Sequence, residues 1–180
     1  MKMSKSANLP ADEGHTVWEP DGDFGRRERL AAVLKGNPIP VAYRLNYVAN
    51  FYVGPLVKNM EQAFGLSRPE WIILFCLTQR PDLNAQQISD VSGRPKTSIS
   101  KAVRQLLSKK LIVRSADVRD GRRLVLHLTD AGRRIYKKIL ASFVAREADM
   151  MACLDDNERQ TILGLLDKVI DNSANWAKPY

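Results

Sequence analysis

Apolar residues recur at three- and four-residue spacing along residues 39–64, at Val41, Leu45, Val48, Tyr52, Leu56, Met60 and Ala63. That is helical periodicity. Pro38 and Pro40 suit the entry of such a helix, and Gly65 suits its stop. Pro55 cannot donate to the Phe51 carbonyl and its ring crowds that turn, which predicts a kink or a break there. Ser67-Arg-Pro-Glu70 is a capping-box pattern, and the helix it opens carries Trp71, Ile72, Leu74, Phe75 and Leu77 and stops before Pro81. Asn84-Ala-Gln-Gln87 opens a short helix with Ile88 and Val91 inward, broken at Ser92-Gly93. From Pro95 the next helix buries Ile99, Val103, Leu106 and Leu107.

The period then changes. Ile112 to Ser115 and Leu124 to Thr129 read as strands, with Leu124, Leu126 and Leu128 alternating with Val125 and His127 about an Asp120-Gly121 turn. Thr129 can cap a helix from Ala131 to about Cys153, whose inner face is Ile135, Ile139 or Leu140, Phe143 and Val144. Asp155-Asp-Asn-Glu158 caps the last helix, with Ile162, Leu163, Leu165, Leu166, Val169 and Ile170. So broad an apolar surface on a last helix calls for a partner helix from a second chain.

This order predicts a mainly α fold with a small β-wing. Residues 67–129 form a winged helix-turn-helix lobe, and residues 38–66 and 130–175 form a helical dimerisation region. Residues 1–37 are polar and rich in turn formers, with helical potential only from Phe24 to Leu34. They read as an arm, and Trp18 and Phe24 imply that part of it docks.

At 180 residues, 44% hydrophobic and 27% charged, the chain can bury a sizeable core without disulfides or metals. The longest apolar run, Trp71 to Leu77, is far short of the ~18 residues a membrane span needs. The first residues hold no apolar signal segment, so the expected compartment is the cytoplasm. Cys76 and Cys153 lie in apolar helical contexts and read as small buried hydrophobes. With two histidines and no CxxC, no structural zinc site is expected. No nucleophile–base pair, carboxylate dyad, phosphate loop or cofactor motif stands out, so an enzyme is not expected.

Charge changes the picture more. The net charge is +8, yet Arg94 to Arg134 alone holds twelve Lys and Arg against three Asp, and the remainder is close to neutral. A localised basic block points to a polyanion. On the helix from Pro95, the buried stripe leaves Lys96, Thr97, Ser98, Ser100, Lys101 and Arg104 outward or at the N-terminus. Hydroxyls and a helix N-terminus suit phosphates, and a Lys or Arg reaches guanine O6 and N7 in the major groove. Arg119, Arg122 and Arg123 surround the hairpin turn, where guanidiniums can straddle the backbone and enter the minor groove. Asp117 and Asp120 are placed to orient those arginines. Double-stranded DNA is the partner these residues fit. His127 reads as a strand surface residue.

The run Asp117-Val-Arg-Asp-Gly-Arg-Arg123, followed by Leu124-Val-Leu-His-Leu-Thr129-Asp-Ala-Gly132, resembles the wing and following helix of the MarR family of bacterial transcriptional regulators. The resemblance covers roughly residues 39–172. It implies a homodimer with the first and last two helices interleaved, reading a pseudo-palindromic operator with the helix Pro95 to Lys109. It also implies a small aromatic acid, phenolic or thioester effector bound between the dimerisation region and the DNA-binding lobe. Tyr43, Arg44 and Tyr47, with Trp71 and Phe75, would supply aromatic walls and one cation for a carboxylate. A reactive cysteine near the first helix, as in oxidant-sensing branches, is lacking. The resulting expectation is a repressor released by its effector; the alternative is an effector-independent or architectural DNA-binding protein.

Overall fold

The computed structural model describes residues 23–117 and 122–176. Its elements in chain order are α1 (Asp23–Leu34), α2 (Pro40–Phe64), α3 (Arg68–Gln79), α4 (Ala85–Ser92), α5 (Lys96–Ser108), β1 (Ile112–Ala116), β2 (Leu124–Leu128), α6 (Asp130–Met150), α7 (Asp156–Asp171) and the single turn α8 (Ser173–Trp176). The chain divides into two compact units, Met1–Asn46 and Tyr47–Tyr180. The first holds α1 and the opening turns of α2. Trp18 lies outside the described residues. No helix among the described residues is long and apolar enough to cross a membrane.

The core belongs to the second unit. Leu66, Ile73, Leu74, Ile88, Ile99, Leu106 and Ile112 are its fully buried members, and Leu56 and Met60 of α2 and Tyr136, Ile139 and Phe143 of α6 pack with them. Trp71 stacks between Tyr136 and Phe143, with ring centroids 5.2 and 4.5 Å away. The two strands pair antiparallel, Ile112 opposite Leu128 and Ala116 opposite Leu124. The loop before α4 adds a third member, because Leu126 N–H donates to the Leu83 carbonyl at 3.0 Å. That loop covers the second face of β2, which explains why Val125 is buried beside Leu126 and strict alternation fails.

Helix ends follow their side chains. Asn84 and Gln87 cap each other reciprocally, as do Asp155 and Glu158. Thr129 Oγ1 accepts from Gly132 N–H at the start of α6. Gly65 and Gly93 sit at φ +61° and +63°, the left-handed conformation that ends α2 and α4 without a Cβ penalty.

Three expectations need correction. First, of the kink or break expected at Pro55, the break does not occur, and α2 runs through it. The carbonyl that Pro55 leaves without a helical partner, that of Phe51, accepts from Arg146 Nη2 at 2.8 Å, so a side chain of α6 replaces the missing amide. Second, Val91 is 67% exposed, not inward. Ser89 is buried instead, because its hydroxyl donates to the Arg94 carbonyl at 2.6 Å and draws that face of α4 against the turn. Third, Cys153 is exposed, since α6 ends at Met150 and leaves it in the connecting turn; Val144 of α6 is exposed too. Cys76 is half-buried, and burial pushes its thiol above the ordinary value. Fewer thiolates form there, which disfavours oxidation chemistry.

Candidate nucleic-acid interface

The interface is built on α4, its turn and α5. Gly93 and the Ser89–Arg94 bond fix the turn, so α5 leaves α4 in a set direction. On α5, Ile99, Ala102, Val103 and Leu106 are buried against the core. At 100° per residue, Thr97, Lys101, Arg104 and Ser108 then fall on one line diametrically opposite that stripe. Lys96, Thr97, Lys101 and Arg104 are exposed, and Ser98 and Ser100 are half-buried at the flanks. Five of the six residues singled out on this helix therefore lie on or beside its outer face, and Lys96 is exposed as its first residue. Gln105 is exposed at the edge of the same face and was not singled out. Its spacing of four from Lys101 was the available signal.

Arg122 and Arg123 are exposed where the hairpin re-enters β2. Asp117 closes the hairpin through the backbone, its N–H donating to the Arg123 carbonyl at 2.8 Å. Arg119 and Asp120 lie outside the described residues. Below the wing, a chain of side chains was missed in the sequence. His127 Nδ1 is 3.0 Å from Asp82 Oδ1, and its Nε2 is 2.7 Å from Ser115 Oγ. With Nδ1–H facing the carboxylate, Nε2 is the acceptor for the serine hydroxyl. The order matches a hydrolytic triad, but the Asp82 side chain is 65% exposed and so well hydrated. The arrangement ties β1 and β2 to the loop before α4. His127 is thus half-buried and bonded on both sides rather than a plain surface residue.

A separate apolar cavity of about 340 Å³ is lined by Tyr52, Trp71, Phe75, Leu140, Phe143 and neighbouring aliphatic residues, with Arg68 and Glu147 as its charged members. Of the five residues expected to hold an effector, Trp71 and Phe75 line it and Tyr47 does not; the Tyr47 ring packs tilted against Phe51, with centroids 4.6 Å apart. Tyr43 and Arg44 belong to the first unit, where the Arg44 guanidinium donates to the Pro40 carbonyl of its own helix. The cation in the lining is Arg68, hidden in the sequence inside a capping box. Among the described residues, no group of three His, Cys, Asp or Glu could hold a metal ion.

Comparison with known proteins agrees with this architecture. The sequence model of the MarR family matches residues 64–123, which run from the end of α2 to the wing. A regulatory protein for the hcr operon of Thauera aromatica is 33% identical over 97 residues, 54% of this chain and 58% of the relative. A transcriptional repressor of Mycobacterium tuberculosis is 27% identical over 130 residues, 72% of this chain and 93% of the relative. The chain spans less than two thirds of the length of the Thauera protein and of a Bacillus subtilis HTH-type regulator it also matches. In structure, a MarR/EmrR-family regulator from Acinetobacter superposes with a TM-score of 0.67 at 26% identity, over 74% of this chain and 94% of that one. Architecture and sequence agree: residues 64–123 match the MarR family, and the fold is similar to that of a MarR/EmrR-family regulator. The relatives named here carry the names of transcriptional regulators.

Proposed function

We propose that this protein is a sequence-specific DNA-binding transcriptional repressor that acts as a homodimer and is released by a small aromatic or phenolic effector. The observation that carries the DNA reading is α5: one face fully buried, the opposite face a line of Thr97, Lys101 and Arg104, and a hairpin with exposed arginines beside it. Lys101 and Arg104 would reach base edges, Thr97 and the helix N-terminus phosphates, and Arg122 and Arg123 the flanking backbone. Residues 67–129 act as the DNA-binding lobe, residues 38–66 and 130–175 as the dimerisation region and residues 1–37 as an added arm.

The dimer reading rests on α7. It is 16 residues long and buries none of them, while Ile162, Leu163, Leu165, Val169 and Ile170 stand exposed. Isolated helices of ~12–15 residues are marginal in water, so a packed partner surface is needed. The effector reading rests on the cavity between α2, α3 and α6. Its aromatic walls suit a flat ring, and Arg68 suits a carboxylate or phenolate. Such a ligand shifts DNA binding only through unequal affinity for the bound and free arrangements of the lobes.

The test is binding to the DNA flanking the protein's own gene, with and without a panel of aromatic acids, phenols and their thioesters. The expected result is a preference of ~10³-fold or more over scrambled duplex, lost on adding at least one panel member. A preference unaffected by the whole panel would leave an effector-independent regulator, and no preference would remove the DNA reading.

A further inference from the structure

Twelve lysines and arginines fill the basic block, and one of them, with its side chain 34% exposed, is tied to a buried carboxylate. Lys109 caps the C-terminal end of α5. Its Nζ donates to Glu70 Oε1 at 2.6 Å and to the Gly65 carbonyl at 2.7 Å. Glu70 is 1% exposed. Its other oxygen accepts from both the backbone N–H and the hydroxyl of Ser67, each at 2.8 Å. One carboxylate therefore holds the start of α3 and, through Lys109, the end of α5 and the left-handed residue that ends α2. The same end of α5 is locked by its backbone. Leu111 N–H donates to the Leu106 carbonyl and Lys110 N–H to that of Leu107, with Lys110 at φ +57°.

We infer that Glu70 and Lys109 are positioning residues for operator recognition, which set the angle of α5 at its C-terminal end; the inference rests on the DNA-binding reading above. The lever is long. Thirteen residues span about 20 Å, so a 10° rotation about the Lys109 end moves the Lys96 end by ~3.5 Å. That is about one base-pair step. An ion pair with one member buried is a poor source of stability, because desolvation offsets much of its attraction, and its fixed hydrogen bonds suit a role in setting geometry. Two of the three donors of the Lys109 ammonium are committed to protein oxygens, which fixes its position.

The test uses the full chain and a duplex that the wild-type protein selects from random DNA. Failure to select any duplex would sink the DNA-binding reading itself, and this inference with it. Glu70→Gln/Lys109→Met removes both charges without leaving either one buried alone. The expected result is a fall of at least tenfold in the ratio of selected to scrambled affinity, with affinity for scrambled duplex and the salt slope unchanged. Equal losses on both duplexes, with a slope smaller by about one, would make Lys109 a phosphate contact and overturn the inference. A lower melting temperature with an unchanged ratio would overturn it as well, leaving the pair merely structural. Should the double variant not fold, Glu70→Gln alone decides: a ratio lowered at least threefold supports positioning, and an unchanged one refutes it.

Discussion

Gly132 shows how a single missing side chain sets the geometry below the wing. A Cβ there would collide with the Leu111 carbonyl oxygen, a backbone atom that cannot swing away. The same carbonyl accepts from Thr129 N–H at 3.1 Å, so the first turn of α6 and the link from α5 to β1 share one point. Gly132→Ala should destabilise the fold by about 2–3 kcal/mol and lower Tm by ~5–10 °C, read by differential scanning calorimetry. An unchanged Tm would mean that α6 shifts freely against Leu111. On α5, Lys101→Ala and Arg104→Ala should change which duplexes are preferred, by about 1–3 kcal/mol at one base position each. Competition with single-base operator variants reads this directly, and a uniform loss across all variants would reassign them to phosphates.

At the scale of elements, periodicity and caps made nearly every helix and strand readable. Ser67 with Glu70, Asn84 with Gln87 and Asp155 with Glu158 mark starts because the bonds involved are local, within three residues. What sequence could not show was set by distant partners. Val125 is buried by the Leu83 loop, and Phe51 is satisfied by Arg146, 95 residues on. The same holds for the sites. The outer face of α5 follows from its own stripe, whereas Arg68 in the cavity and the Asp82–His127–Ser115 chain depend on tertiary contacts between separate segments. For α7 the prediction concerns assembly. Leu163→Glu places a charge on its exposed apolar side and should halve the mass found by light scattering, from twice the 20.3 kDa chain to one. A wild-type protein that is already monomeric would refute the dimer.

For the whole molecule, the positive excess lies within Arg94 to Arg134 while the rest is nearly neutral. Two lobes docked on successive major grooves would lie ~34 Å apart, several Debye lengths at physiological salt. Each lobe's phosphate contacts should therefore add independently. Operator affinity should fall linearly with the logarithm of salt concentration. Arg122→Ala should lower that slope by about one for each lobe, roughly two per dimer, if it meets a phosphate. An unchanged slope, measured by fluorescence anisotropy between 50 and 200 mM salt as rough limits, would take Arg122 off the interface.

The bond from Arg146 to the Phe51 carbonyl has a consequence for how the sequence can drift. While Pro55 is present, losing the arginine would take from a helical carbonyl its side-chain donor and leave that position to water, at some cost. Were Pro55 first replaced by alanine, the restored amide could serve that carbonyl, and the arginine could then be lost with less harm. The two positions thus change more easily in one order than in the other, although nothing in their spacing along the chain connects them.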